Sequence, residues 1–412
     1  MAGMKIYKHS LFVLILFLLF GPNIQRRFAI FHELPLKGVY NNASRPVLTD
    51  TAWMAGKFQE NFSKWYGDSV GFKTDFVHVV NQMDFSLFWI AHADRMVIGK
   101  KDYLFSQDYL DSYIGKDFKG KVSLENQVKQ IKWIQEQLWN RHHVYLLILF
   151  PPDKGSFYPE YIPDRFMEKK TAFTNPEILA DLFKKNGIHF IDFSRWFRMI
   201  KDTSRYILYP KTGNHWSNYG SYLVADSLNR YLAVAPGLSI PKMRVDSIKV
   251  VSNSPPPEND INELLNLMRE IPQPDMAFPF LHFDPVKGKD KPRVLVIGDS
   301  FYWNWYYIGY AQNSFLRPSY WYYNHDVYPE SFSKHVTVDQ INYRDSILSQ
   351  DVVILLNVNA GYGMIGFYSL YMMEKFLRSD TLSPEKLRKQ LTLKEPKSSK
   401  TEKTSQTRTV EK

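Results

Sequence analysis

Two short stretches carry side chains whose types suit acyl chemistry. In VLVIGDSFYW, an apolar run ends in Gly298, Asp299 and Ser300, followed by aromatic residues. The run predicts a buried strand, and a serine just beyond it sits at a strand-to-helix turn at the sheet edge. Backbone N–H groups at such a turn are placed to hold a developing oxyanion. A hydroxyl needs a base to become a nucleophile. KTGNHWSNYG, residues 211–220, offers His215, and the long separation from Ser300 is no obstacle because such groups meet only in the fold. Read singly, Ser300 is equally a helix cap and His215 a packing histidine.

A base of this kind is normally oriented by a carboxylate, yet KTGNHWSNYG contains none. The substitutes open to the chain are a backbone carbonyl, the Asn214 amide oxygen, or an acid from another strand end, Asp192 or Asp153. Other polar candidates near strand ends are Lys154 in PPDKG, to hold an anionic substrate or the geometry of the site, and Asn357 and Asn359 as oxyanion donors. FYWNWYYIGY, residues 301–310, has seven aromatics in ten residues. Rings suit sugar faces, so Tyr302, Trp303 and, next to the histidine, Trp216 are weak substrate-binding candidates, although a buried helix would use the same rings as core. His142-His143 and His325-Asp326 lack metal-ligand spacing, so no metal is expected. No nucleotide-binding motif stands out, and no cofactor is expected.

The elements that must position these residues follow an α/β pattern from about residue 122. Continuous apolar strands (HVYLLILF, IHFIDF, PRVLVIG, DVVILLN) alternate with amphipathic helices (SLENQVKQIKWIQEQLWN, NPEILADLFKKN, YGSYLVADSLNRYL). This predicts a parallel sheet covered on both faces, with the site beyond the carboxyl ends of its strands. In the second helix Asn175 is expected to cap and Gly187 to terminate. RMVIGKKDYLFSQDY, from residue 95, predicts two short strands joined by a Gly-Lys turn. About 60 residues, including SNSPPPEND and a helical INELLNLMREI, separate the third helix from PRVLVIG; a connection this long suggests functional loops. Residues 28–95 predict a helical segment whose apolar face includes Phe58, Phe62, Trp65, Phe76, Val77 and Val80.

The chain has 412 residues and a net charge of +10. Lys5, Lys8, Arg26 and Arg27 lie in the first 27 residues without an acid, and residues 394–412 hold six basic and three acidic residues. The remainder is close to balanced, which leaves no polynucleotide footprint. There is no cysteine, which excludes disulfides and thiolate chemistry. Lys5 and Lys8 precede the apolar SLFVLILFLLF, a pattern of export signals. An uncleaved anchor with the body exported is expected, with a cleaved signal peptide as the alternative. The resulting division is 1–27 anchor or signal peptide, 28–95 helical segment, 96–375 main domain, and 376–412 charged, disordered tail.

PPDKGSFYPEY at 151–161, KTGNHWSNYG at 211–220 and VIGDSFYW at 296–303, in that order, resemble the alginate O-acetyltransferase family of AlgJ and AlgX type, as does IGKKDYLF before them. The resemblance covers about residues 96–375. It implies an SGNH-hydrolase-like domain in circularly permuted order, with the His-Trp block before the GDS block. It implies Ser300 as nucleophile and His215 as base in an exported, membrane-tethered O-acetyltransferase acting on a polysaccharide, its acetyl group supplied by an integral-membrane acyltransferase. The family's Asp-x-His-Trp places its orienting Asp where this chain has Gly213. Two other functions fit the same residues: a carbohydrate O-acetyl esterase, and a non-catalytic glycan-binding or scaffold protein of an export complex. The last expects Ser300 and His215 to lie too far apart to hydrogen-bond.

Overall fold

A computed structural model describes residues 2–38, 40–234, 238–252, 254–286 and 291–380. Residues 381–412, most of the charged tail, lie outside them.

The centre is a six-stranded sheet built from β3 (Tyr145–Phe150), β4 (Phe190–Asp192), β7 (Val294–Gly298), β8 (Ser319–Tyr322), β9 (Asp326–Tyr328) and β10 (Val352–Leu356), ordered β4-β3-β10-β7-β8-β9. All pairs are parallel except β8–β9. Alternate side chains point to opposite faces of a strand, and here both faces are apolar. Leu147, Leu149, Val294, Val296, Val352 and Ile354 pack on one side with Phe193 and Phe197 of α6 (Phe193–Ile200) and Val224, Leu228 and Leu232 of α7 (Asn218–Ala233). Leu146, Ile148, Leu295, Ile297, Val353 and Leu355 pack on the other with Val128, Ile131 and Leu138 of α4 (Lys121–His142), Leu179 and Phe183 of α5 (Asn175–Asn186), and Met373 and Leu377 of α10 (Ser369–Ser379). The parallel sheet covered on both faces is therefore present.

Local details depart from expectation. Thr174, not Asn175, occupies the cap position of α5. The Asn175 side chain is buried, accepting from the Lys119 N–H and donating to the Asp117 carbonyl; a fully buried amide is better used bridging two backbone groups than capping at the surface. The long connection after α7 holds an antiparallel ribbon, β5 (Met243–Val251) with β6 (Met276–Phe283). Between them the helical stretch shrinks to α8 (Asp260–Leu264), which ends at the cap residue Leu265 where Asn266 turns into the left-handed region at φ 48°.

Ahead of the sheet lie α1 (Ala2–Phe28), α2 (Lys57–Ser69) and α3 (Lys73–Phe88), then the hairpin β1 (Met96–Ile98) and β2 (Leu104–Ser106). Lys8–Phe28 is long and apolar enough to cross a membrane, by length and composition.

Candidate active site

β7 positions Ser300. Gly298 is required by close approach: a Cβ there would meet the Leu356 carbonyl oxygen at 2.7 Å. Asp299 is buried and pins the turn, its Oδ1 accepting from the Phe301 N–H at 3.2 Å and its Oδ2 from the Val358 N–H at 2.7 Å. Burial raises its carboxyl to about 6, against those hydrogen bonds. Ser300 follows at the cleft. Its Oγ lies 2.7 Å from His215 Nε2, so the separation that would favour the non-catalytic reading is absent.

His215 is oriented by Asp260, a residue the sequence did not single out. Nδ1 lies 2.9 Å from Asp260 Oδ2, while Oδ1 accepts from the Asn214 and Ile261 N–H groups at 2.7 and 2.9 Å. The carboxylate thus fixes Nδ1–H and leaves Nε2 to accept from the serine. None of the substitutes weighed above fills this role. Asn214 donates through Nδ2 to the Tyr109 hydroxyl at 3.3 Å, and its side-chain oxygen meets no donor among the described residues. Asp192 caps α6 through the Arg195 N–H at the end of β4, three strand spacings from β7, roughly 14 Å. Asp153, two spacings away, is buried and bonded to the Ser156 N–H and Asn359.

Gly213 explains the move. A Cβ there would meet Pro210 at 2.6 Å and the carbonyl oxygens of Glu258 and Pro257 at 2.8 and 2.9 Å. The segment leading to Asp260 thus passes, at Pro257 and Glu258, through the space a side chain at 213 would occupy. The segment is tied down on both sides. Buried Glu258 accepts from the N–H and Nδ2 of Asn218 at the start of α7, at 2.7 and 2.9 Å. Burial raises its carboxyl to about 7. The buried Thr212 hydroxyl lies 2.7 Å from Asn259 Oδ1.

Lys154 holds the histidine loop from the other side. It is fully buried and donates to the carbonyls of Lys211 and Gly213 at 2.6 and 2.8 Å. Burial pulls its ammonium well below the ordinary lysine value, with Asp260 opposing. It braces geometry and is out of reach of an anionic substrate. Asn357 and Asn359 are likewise turned inward, the first accepting from Gly366, the second donating to Asp153.

The cleft beside Ser300 measures about 700 Å³, within the usual range for small-molecule sites. Its walls are Phe278, Pro279, Phe280 and Leu281 of β6 on one side and Trp303, Asn304, Tyr307 and Ile308 on the other, the last four on or next to α9 (Tyr302–Tyr307). Of the three aromatic candidates only Trp303 lines it. Trp216 is buried, stacked on Trp305 with centroids 5.8 Å apart, and Tyr302 is buried on Tyr320 at 3.9 Å; both are core. His325 and Asp326 sit at the sheet edge, where His335 joins them: His325 Nδ1 and His335 Nε2 lie 2.6 and 2.8 Å from Asp326 Oδ1.

Asp260 escapes a reading of the sequence that seeks the acid beside the histidine or at a strand end, because it stands at neither place. The available signal was Glu258-Asn259-Asp260, directly after the triple proline in a connection too long for a crossover.

Comparison with known proteins adds the family. The family model described as SGNH hydrolase-like domain, acetyltransferase AlgX matches residues 96–317, more than half of the chain. Similar solved structures include the O-acetyltransferase domain of Pseudomonas putida AlgJ, with 14% identity over 73% of this chain and 99% of that one at TM-score 0.45. Pseudomonas aeruginosa AlgX follows with 13% over 65% and 66%, TM-score 0.44. Bacillus cereus PatB1 with a sulfonyl adduct shows 15% over 59% and 91%, TM-score 0.38. No curated protein sequence matches the chain.

Proposed function

The chain belongs to the AlgJ/AlgX type of SGNH hydrolase-like acetyltransferases, and from that premise we propose that it is an exported O-acetyltransferase acting on hydroxyls of a polysaccharide. The observation that carries this reading is the continuous hydrogen-bonded path Ser300–His215–Asp260 opening onto a cleft walled by rings.

Ser300 Oγ attacks the carbonyl carbon of the acetyl donor as His215 Nε2 takes the hydroxyl proton. The Phe301, Tyr302 and Trp303 N–H groups are engaged within the turn, which leaves the Ser300 N–H as the turn's donor to the tetrahedral oxyanion. Collapse expels the donor's oxygen, which takes the proton from His215 and leaves acetyl-Ser300. A sugar hydroxyl then gives its proton to Nε2 and attacks the acetyl carbon. The second collapse returns the proton to Ser300 and releases the sugar ester. Asp260 stabilises the imidazolium in both halves. Trp303, Tyr307 and the β6 wall supply apolar faces for sugar rings. The site belongs outside the cytoplasm, tethered to the inner membrane by α1, with the acetyl group supplied by an integral-membrane O-acyltransferase.

The test is transfer from a soluble acetyl ester to an oligosaccharide, with the acyl-enzyme read by mass spectrometry. Wild-type protein is expected to carry acetyl on Ser300 and to yield sugar ester. Ser300→Ala should lower turnover on the order of 10⁴–10⁶-fold. Full transfer by that variant would falsify the mechanism, and release of acetate alone would favour the esterase reading.

A further inference from the structure

Helix α3 is arranged inside out. Phe76, Val79, Val80, Met83 and Leu87 recur at helical spacing and are all exposed, between 37% and 63%. The face turned to the protein carries Thr74, His78, Asn81 and Phe85. His78 and Asn81 are buried, and Asn81 Nδ2 donates to the Leu265 carbonyl at 2.9 Å. Phe88, Trp89 and Ile90 prolong the exposed apolar surface past the helix end. A helix in water turns its apolar side inward, and an exposed patch of this kind marks a contact with something apolar.

The occupant follows from where the helix begins. The last turns of α1 hold the residues leading into α3: the Gly71 N–H donates to the Pro22 carbonyl at 3.2 Å, and the Tyr66 hydroxyl to Asn23 at 2.6 Å. Phe31 and Phe72 close a cavity with Phe17, Phe20 and Ile24 of α1, and their rings lie 5.8 Å apart. Arg26 lies over Trp65 at 4.6 Å, at the end of the same helix. The residues preceding α3 therefore reach the apolar length of α1 itself, and aromatic and arginine side chains gather at that level, as they do at membrane–water interfaces.

We infer that the exposed face of α3, with Trp89 and Ile90, lies on the lipid surface of the membrane that α1 spans. The inference rests on the reading of α1 as a tether. Its consequence is positional. The opposite face of α3 packs through Phe85 against Ile261 and Leu265, next to Asp260, so seating the helix on lipid fixes the height and orientation of the Ser300 cleft above the membrane.

The chain has no cysteine, so single-cysteine variants of the full-length protein accept one environment-sensitive fluorophore each. Val80→Cys, Met83→Cys and Leu87→Cys test the face, and Lys129→Cys on α4, also exposed, is the reference. In vesicles of phosphatidylethanolamine and phosphatidylglycerol, the three face probes are expected to shift to the blue and to be quenched by lipids spin-labelled near the headgroup. The reference probe should do neither. If the protein floats with the vesicles but the face probes stay water-like, the inference fails while the tether stands. Probe self-quenching that rises with protein density would assign the face to a second copy and overturn it as well. If the protein does not float, tether and inference fall together. Proper folding of each variant is checked by acyl-enzyme formation at Ser300.

Discussion

The two segments that meet at His215 are held by different forces. Gly298-Asp299-Ser300 ends a strand buried on both faces, and Asp299 locks its turn through two backbone N–H groups. The 254–262 segment belongs to no sheet. Up to Asp260 its hold is polar: Glu258 on Asn218, Asn259 on Thr212, Asp260 on Asn214; only from Ile261 on does a small apolar cluster with Leu265, Ile98 and Leu104 join in. Ser300 is thus placed by the core, and Asp260 chiefly by hydrogen bonds to a connection. Disturbing the first should damage folding and catalysis together, while disturbing the second should damage catalysis first.

The largest break in this contrast is Gly213→Asp. It writes the family's acid back in, but its Cβ meets three atoms within 2.9 Å. Overpacking of this kind costs about 1–3 kcal/mol, and relief comes by displacing the 254–262 segment. The expected outcome is a lower melting temperature and a fall in kcat on the order of 10³-fold, despite the added carboxylate. Acyl transfer at wild-type rate would show that the two acid positions are interchangeable.

Lys154→Met sharpens the comparison from beneath. It removes the ammonium donor from the Lys211 and Gly213 carbonyls; Lys211 keeps the Leu104 N–H, and the Gly213 carbonyl left unmet costs about 1–3 kcal/mol. Chemical denaturation should show that loss, accompanied by a smaller drop in kcat with KM little changed. A rise in KM alone would return Lys154 to substrate binding.

The last contrast, confined to stability, separates the two carboxyls by pH. Glu258 is raised from 4.5 to about 7 and Asp299 from 3.8 to about 6. A raised carboxyl holds its proton longer in the folded chain than in the unfolded one. Its contribution to stability is full below the unfolded value and is lost as pH climbs through the folded one. Melting temperature is therefore expected to decline from pH 4.5 towards pH 7. Glu258→Gln, which still accepts from Asn218, should remove the Glu258 share of that slope, about 3 kcal/mol at most. An unchanged slope would place the titration elsewhere.

β3, β4, β7 and β10 were legible as apolar runs and α4, α5 and α7 as amphipathic helices, whereas the short edge strands β8 and β9 and the covering helices α6 and α10 were not. Ser300 and His215 were legible because a GDS turn and a His-Trp pair sit at strand and helix ends that the topology must bring together. Asp260 was not, because its contact with His215 depends on the path of a connection whose prolines carry no periodic signal. Tyr302 was misassigned for a related reason: composition does not say which rings of an aromatic helix face the core; Trp216, ahead of α7, is drawn into that core by stacking on Trp305. The apolar face of α3 was visible as a pattern, whereas its lack of a protein partner among the described residues was not.

The central claim is that Asp260 replaces the missing acid. Its most direct test is kcat for acyl-Ser300 formation in Asp260→Asn, measured beside Asp192→Asn. An amide at 260 still accepts from the Asn214 N–H but no longer fixes the imidazole tautomer, so kcat should fall on the order of 10³–10⁴-fold, while Asp192→Asn stays near wild type. Equal rates in Asp260→Asn and wild type would contradict the account.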